Sequence, residues 1–333
     1  MKKIFFTLIT IAAFVSCSKT DVAYESTDAI GFQVVTGRMT KAAVNSTTYP
    51  TDLNMYVFAM TQTGENAMSS TADYLDNALF AHTSNNLWGG NPDPYYWPNV
   101  KKLYFAGISA SGNVNNGVVP SYENGIITVD GYVQSAGTAN AGDSDLMWFP
   151  PTPEAYGKGT ASVPVTMKHA CSWITVQLAG DQNTAGKYYI KDIHIDGLTT
   201  KGKVELGSTA DWTLSTLDED INKTFSVYSH DTGKALSINP TEVGFENIVN
   251  NTVVLPEQVP GTLSITYTFE SQAREPITET VTGSLKFNGE TAWVAGTHYI
   301  YTVTITASQI LIAPTVETWT PSPSTGSHGV TVQ

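Results

Sequence analysis

The chain has 333 residues, with 17 Lys and Arg against 30 Asp and Glu, a formal net charge of −13. An acidic chain without a Lys/Arg cluster excludes nucleic acid as a partner, because phosphate binding needs a basic face. Only 14% of the residues are charged, while Thr, Ser, Asn, Gly and Tyr are frequent. That is the composition of a β protein with a neutral polar solvent face, and the length favours two domains over a single core.

Lys2 and Lys3 precede an apolar run from Ile4 to Val15. The run is too short to remain in a bilayer as an anchor, so residues 1–16 read as an export signal. Phe14-Val15-Ser16-Cys17 places small residues just before a cysteine in the manner of a lipobox, with Phe14 where Leu is usual. Cys17 is therefore expected to become a lipid-modified N-terminus, the alternative being ordinary secretory cleavage nearby. Each buried methylene of a palmitate-type chain contributes about 0.8 kcal/mol, so two or three chains hold a protein on a membrane. Loss of Lys2 and Lys3 with the signal takes the 17 basic residues to 15 against 30 acidic ones.

Residues 17–28 are polar and acidic without periodicity and read as a tether. Alternation then takes over. Ile30, Phe32 and Val34 share one strand face, and so do Met55, Val57 and Ala59 in the next clear strand. Leu103, Phe105 and Gly107, then Ile126 with its neighbours, add short strands between Gly and Asn turns. A break at residues 150–162, with Pro150-Pro151-Thr152-Pro153 and Gly157-Lys158-Gly159, carries residues unfit for a central ladder.

Strands resume at Val163 with cleaner period two: Ile174, Val176 and Leu178; Ile193 and Ile195; Leu263, Ile265, Tyr267 and Phe269; Tyr299, Tyr301, Val303 and Ile305. No window of a dozen residues carries a helical stripe. The prediction is an all-β chain of two β-sandwich domains in series, residues 29–160 and 161–333, the second ending in a tail strand. Cys171, between His169 and Trp173 in an apolar strand, is the one thiol left after lipidation and reads as a buried small hydrophobe.

Several local signatures occur in a fixed order. Phe32-Gln33-Val34 and Arg38-Met39-Thr40-Lys41-Ala42 come first, then Pro94-Tyr95-Tyr96-Trp97-Pro98 leading into Lys102-Leu103-Tyr104-Phe105-Ala106. Asp145-Leu146-Met147-Trp148, Met167-Lys168-His169-Ala170 and the run from Trp293 to Ile305 complete the series. In this order and spacing the chain resembles the fimbrillin family of Bacteroidetes, the type V pilins, over essentially the whole exported length.

The resemblance implies transthyretin-like or Greek-key sandwiches and a pilus subunit or pilus-associated adhesin. Such pilins travel as lipoproteins to the outer surface, where a trypsin-like protease cuts the loop after the first strand. The cut removes lipid and strand, and a strand from the next subunit fills the groove, a form of β-augmentation. On this sequence the cut falls after Arg38, or alternatively Lys41, and releases the strand bearing Ile30, Phe32 and Val34. Ile310, Leu311, Ile312 and Val316 form the candidate donor tail, which either packs back on its own domain or inserts into a neighbour.

The implied partners are other pilin subunits in a homo- or heteropolymer, the outer membrane through the lipid at Cys17, and a host or bacterial surface receptor; the implied location is the outer membrane, cell surface and fimbrium. The competing reading is a monomeric surface lipoprotein that binds glycan through exposed Trp88, Tyr95, Tyr96 and Trp97.

Signs of other chemistry are sparse. The six histidines, 82, 169, 194, 230, 298 and 328, show no metal-ligand spacing, and His194 with Asp196 lacks a third ligand. Asp143, Asp145 and Asp218-Glu219-Asp220 lack a calcium-loop pattern and read as solvated turns. No nucleophile elbow, phosphate loop or dinucleotide fingerprint is present. Neither a cofactor, a metal nor an enzymatic activity is expected.

Overall fold

The structure is a computed structural model that describes residues 28–36, 39–40, 43–45, 49–84, 87–109, 114, 118–134, 145–180, 186–236, 246–272, 274–286, 291–305 and 310–318. Its extended regular elements are strands, as the alternation predicts. The first eleven are β1 (Gly31–Thr36), β2 (Met39–Thr40), β3 (Ala43–Asn45), β4 (Met55–Gly64), β5 (Ala67–Met68), β6 (Leu75–Ser84), β7 (Leu87–Gly90), β8 (Leu103–Ser109), β9 (Ser121–Glu123), β10 (Ile126–Val133) and β11 (Met147–Phe149). The rest are β12 (Val163–His169), β13 (Ser172–Gly180), β14 (Lys187–Leu198), β15 (Lys201–Leu206), β16 (Ala210–Leu214), β17 (Lys223–Ala235), β18 (Glu246–Val254), β19 (Thr262–Ser271), β20 (Arg274–Ser284), β21 (Thr297–Ile305) and β22 (Ile310–Thr318).

Seven strands close on themselves in the order β4-β6-β7-β1-β12-β11-β8, because β8 also pairs with β4. In place of an open sandwich, the first half of the chain therefore builds a barrel-like ring. The reason lies in β4 and β8, which are apolar on both faces. Met55, Val57, Ala59, Leu103 and Phe105 point into the ring with Phe32, Phe80, Trp88, Met147, Phe149, Val163 and Val165. Phe58, Met60, Tyr104, Ala106 and Ile108 point outward. A strand apolar on both faces needs cover on both. The outward set is covered by the four-stranded sheet β16-β15-β10-β9, through Tyr122, Ile127, Val129, Val204, Leu206 and Trp212. β12 and β15, from beyond residue 160, thus pair with strands from before it, and β16 extends the sheet from β15.

A third core lies between the sheets β18-β13-β21-β22 and β17-β14-β19-β20. The faces predicted from sequence meet there: Ile174, Val176 and Leu178 opposite Ile193, Ile195, Leu263 and Ile265, with Tyr299, Tyr301, Val303 and Ile305 and the buried Trp293. Trp293 Nε1 donates to Tyr301 Oη at 2.9 Å, so the largest ring in this core leaves no unpaired donor.

Candidate functional site

The expected exchangeable strand is an interior member of the ring. β1 runs parallel to β12, from Phe32 opposite Val163 to Thr36 opposite Met167, and antiparallel to β7, from Gly31 opposite Gly89 to Gln33 opposite Leu87. Both edges are paired. Ile30, Phe32 and Val34 are 1%, 0% and 2% exposed, so the alternation read from sequence identifies the buried face. The Phe32 ring lies 5.0 Å from Phe80 and 5.2 Å from Phe105, both edge-on, and 6.1 Å from Phe149. Edge-to-face pairs of this kind add to the area term. Gly107 leaves room for this cluster, since a Cβ there would collide with the Phe149 ring.

The Tyr95-Tyr96-Trp97 segment holds the beginning of β1. Ile30 N donates to Tyr95 O at 2.7 Å and Trp97 N donates to Asp28 O at 3.0 Å, with a bridge between Ala29 and Tyr96. Lys158 Nζ lies 3.2 Å from Asp28 Oδ1, an exposed ion pair that adds little. Tyr95 packs on Phe80 at 5.3 Å and Trp97 on Phe105 at 5.7 Å. These rings close one end of the ring core. At the other flank, beyond the β2–β3 hairpin, the fully buried Tyr49 packs edge-on against Trp88 at 5.2 Å and donates its hydroxyl to Asn54 O at 2.9 Å. Burial, with Asp145 and Asp52 nearby, pushes the Tyr49 phenol well above its ordinary range. Sequence reading missed Tyr49, which stands outside any alternating run.

Cys17, Arg38, Lys41 and Trp319 lie outside the described residues. Of the proposed donor tail, β22 pairs antiparallel with β21 along its whole length, from Thr318 opposite Thr297 to Ile310 opposite Ile305. Among the described residues its outer edge carries no further strand of this sheet. Leu311 is 53% exposed, whereas Ile312 and Val316 pack partly against the third core.

The four aromatics of the glycan reading do not form an exposed row. Trp88 and Trp97 are buried at 0% and 5% exposure, Tyr95 is half-buried, and Tyr96 alone is open at 43%. Trp88 Nε1 donates to Leu53 O at 3.1 Å, a satisfied core tryptophan. Asp145 requires a correction. It is fully buried, not a solvated turn, and its Oδ2 lies 3.0 Å from Nδ1 of the equally buried His169. The pair bridges the segment before β11 to the end of β12, tying the ring where those strands meet.

Cys171 is buried, and burial first, then Asp145, pushes its thiol up, away from the reactive thiolate. His194 Nε2 faces Asp192 at 3.0 Å, while Asp196 accepts from Thr224 and Ser264. Among the described residues no group of three or more His, Cys, Asp or Glu side chains could hold a metal.

The sequence matches the fimbrillin-like family over residues 40–319. Characterised proteins give no sequence match. Among solved structures, a candidate cell adhesion protein of Bacteroides uniformis is similar with a TM-score of 0.53 at 15% identity, over 88% of this chain and 99% of that one. One from Bacteroides ovatus gives 0.54 at 12% identity, over 87% and 97%. A fimbrial protein of Bacteroides vulgatus gives 0.50 at 16% identity, over 87% and 99%. At these identities the likeness is one of fold.

Proposed function

Because the chain belongs to the fimbrillin-like family, we propose that it is a surface fimbrial subunit or fimbria-associated adhesin that assembles by strand exchange at the seat of β1. The observation that carries this reading is the position of β1, paired with both β7 and β12 and with Phe32 and Val34 on its inner face buried. Ile30, Phe32 and Val34, with almost no exposure, contribute about 1.5–3 kcal/mol each. That is comparable with the whole stability of an ordinary domain. A cut in the following loop would not by itself eject such a strand. Departure needs a competitor that refills the seat, which makes release and association one event.

In this reading Cys17 carries the lipid that holds the exported chain at the outer membrane, and the cut falls after Arg38 or Lys41. The tail with Ile310, Leu311, Ile312 and Val316 is the segment offered to another subunit. β22 suits that role because, among the described residues, one of its edges is engaged within its sheet and the other is not. The buried Trp88 and Trp97 supply no platform for the glycan reading.

Limited tryptic digestion of the exported chain, with N-terminal sequencing and sizing, tests the proposal. With other pilin subunits present, a cut after Arg38 or Lys41, followed by loss of β1 and growth of mixed oligomers, is the expected result. A cut chain that keeps its first strand and stays monomeric in the presence of other subunits refutes it.

A further inference from the structure

We infer that the seat of β1 selects a strand with a ring at its centre and a branched aliphatic side chain two residues to either side, and that this strand comes from a different protein, not from the tail of a second copy. The inference rests on the exchange reading above and specifies the partner of that site.

The present occupant shows what the seat takes. Phe32 fills a pocket walled by Phe80, Phe105 and Phe149, while Ile30 and Val34 fill the positions before and after it on the same face. Closely packed interiors do not accept a missing ring without leaving a void. The strand must also present two hydrogen-bonding edges, since β7 and β12 both lose a partner when β1 leaves.

The tail of this chain fails both requirements. One of its faces presents Ile310, Ile312, Pro314 and Val316, which contains no ring and puts Pro314, without an N–H, at a central position. The alternate positions in sequence are Leu311, Ala313, Thr315, Glu317 and Trp319, where the one aromatic has Glu317 and Pro321 two residues to either side. Centring Trp319 in the pocket would drag the Glu317 carboxylate into the apolar core. From Cys17 to Gln333, the arrangement of a branched aliphatic, any residue, an aromatic, any residue and a branched aliphatic occurs once, at Ile30-Gly31-Phe32-Gln33-Val34. Within those residues only the first strand itself carries the pattern that its seat holds.

The test uses the full chain carrying a site-specific protease sequence between Thr36 and Tyr49, cut and then offered fluorescent peptides. The peptides are residues 28–36, the same with Phe32→Ala, residues 310–320, and the same with Pro314→Phe. The last places a ring between Ile312 and Val316. The expected result is uptake of 28–36, with more than roughly a hundredfold weaker binding for the Phe32→Ala peptide and for the unmodified tail. Pro314→Phe should recover most of that loss. An unmodified tail that binds within about threefold of 28–36 overturns the selectivity and leaves strand exchange standing. If no peptide enters, including 28–36, the exchange reading itself fails and takes the inference with it.

Discussion

The first strand and the tail strand are both short alternating segments near the ends of the described chain, yet they are held in different ways. β1 has a partner on each side and a buried face at 0–2% exposure, whereas β22 has one partner in its sheet and Leu311 at 53%. Alternation thus reports which face a strand buries, but how firmly it is held depends on the number of engaged edges and the depth of the core beneath it. By that measure β22 is the less firmly held of the two strands and β1 the more firmly held.

The contrast can be broken most severely at Phe32. Phe32→Ala empties a pocket lined by three rings, and denaturant unfolding should show a loss of about 3–5 kcal/mol. A loss below about 1 kcal/mol would mean that the seat collapses around the void.

Acid probes the sheet that carries the tail. His298, on β21 opposite Glu317, stacks on Trp173 at 3.5 Å and lies 2.8 Å from Thr175 Oγ1. Burial lowers its pKa from 6.5 to about 4. The unfolded chain therefore takes up this proton first as pH falls, so stability present above pH about 6.5 is lost progressively down to about 4, on the order of 2–3 kcal/mol. Unfolding curves across that window should show the slope, and His298→Phe should flatten it.

Ending the chain before Ile310 removes the half-buried Ile312 and Val316 and should cost about 2 kcal/mol, with the rest of the fold retained by circular dichroism. Unfolding of the shortened chain would point to a larger share of the third core. Smallest of all, Leu311→Ser on the open face should change the midpoint of unfolding by no more than about 0.5 kcal/mol. A larger drop would show that the exposed face of β22 is covered in solution.

The faces of the strands were legible in the sequence because period two is a local property. Met55, Val57 and Ala59, and Tyr299, Tyr301, Val303 and Ile305, each turn inward as a set. Their neighbours were not legible. The parallel pairing of β1 with β12 joins residues more than a hundred positions apart, and nothing near Phe32 announces Val163 as its partner. Ring closure was hidden for the same reason, although the apolar run on both faces of β4 was its trace.

Asp145 looks like a turn residue in the sequence because it stands beside small polar residues, and its partner His169, 24 residues on, meets it only in the fold. At the candidate site, the identity of the buried face could be read from Ile30, Phe32 and Val34. The aromatic walls, supplied by three separate strands, could not.

A closed circle has neither a first nor a last member, so it can be opened only by creating two rims at once. Here the rims would be unlike: β7 runs against the direction of the departed strand and β12 along it. A newcomer laid down in the original sense restores both ladders, while one laid down backwards inverts the pattern on each side. The vacancy therefore carries an arrow, and a fibre built through such vacancies would inherit a direction of growth from the mixed neighbourhood of one six-residue strand.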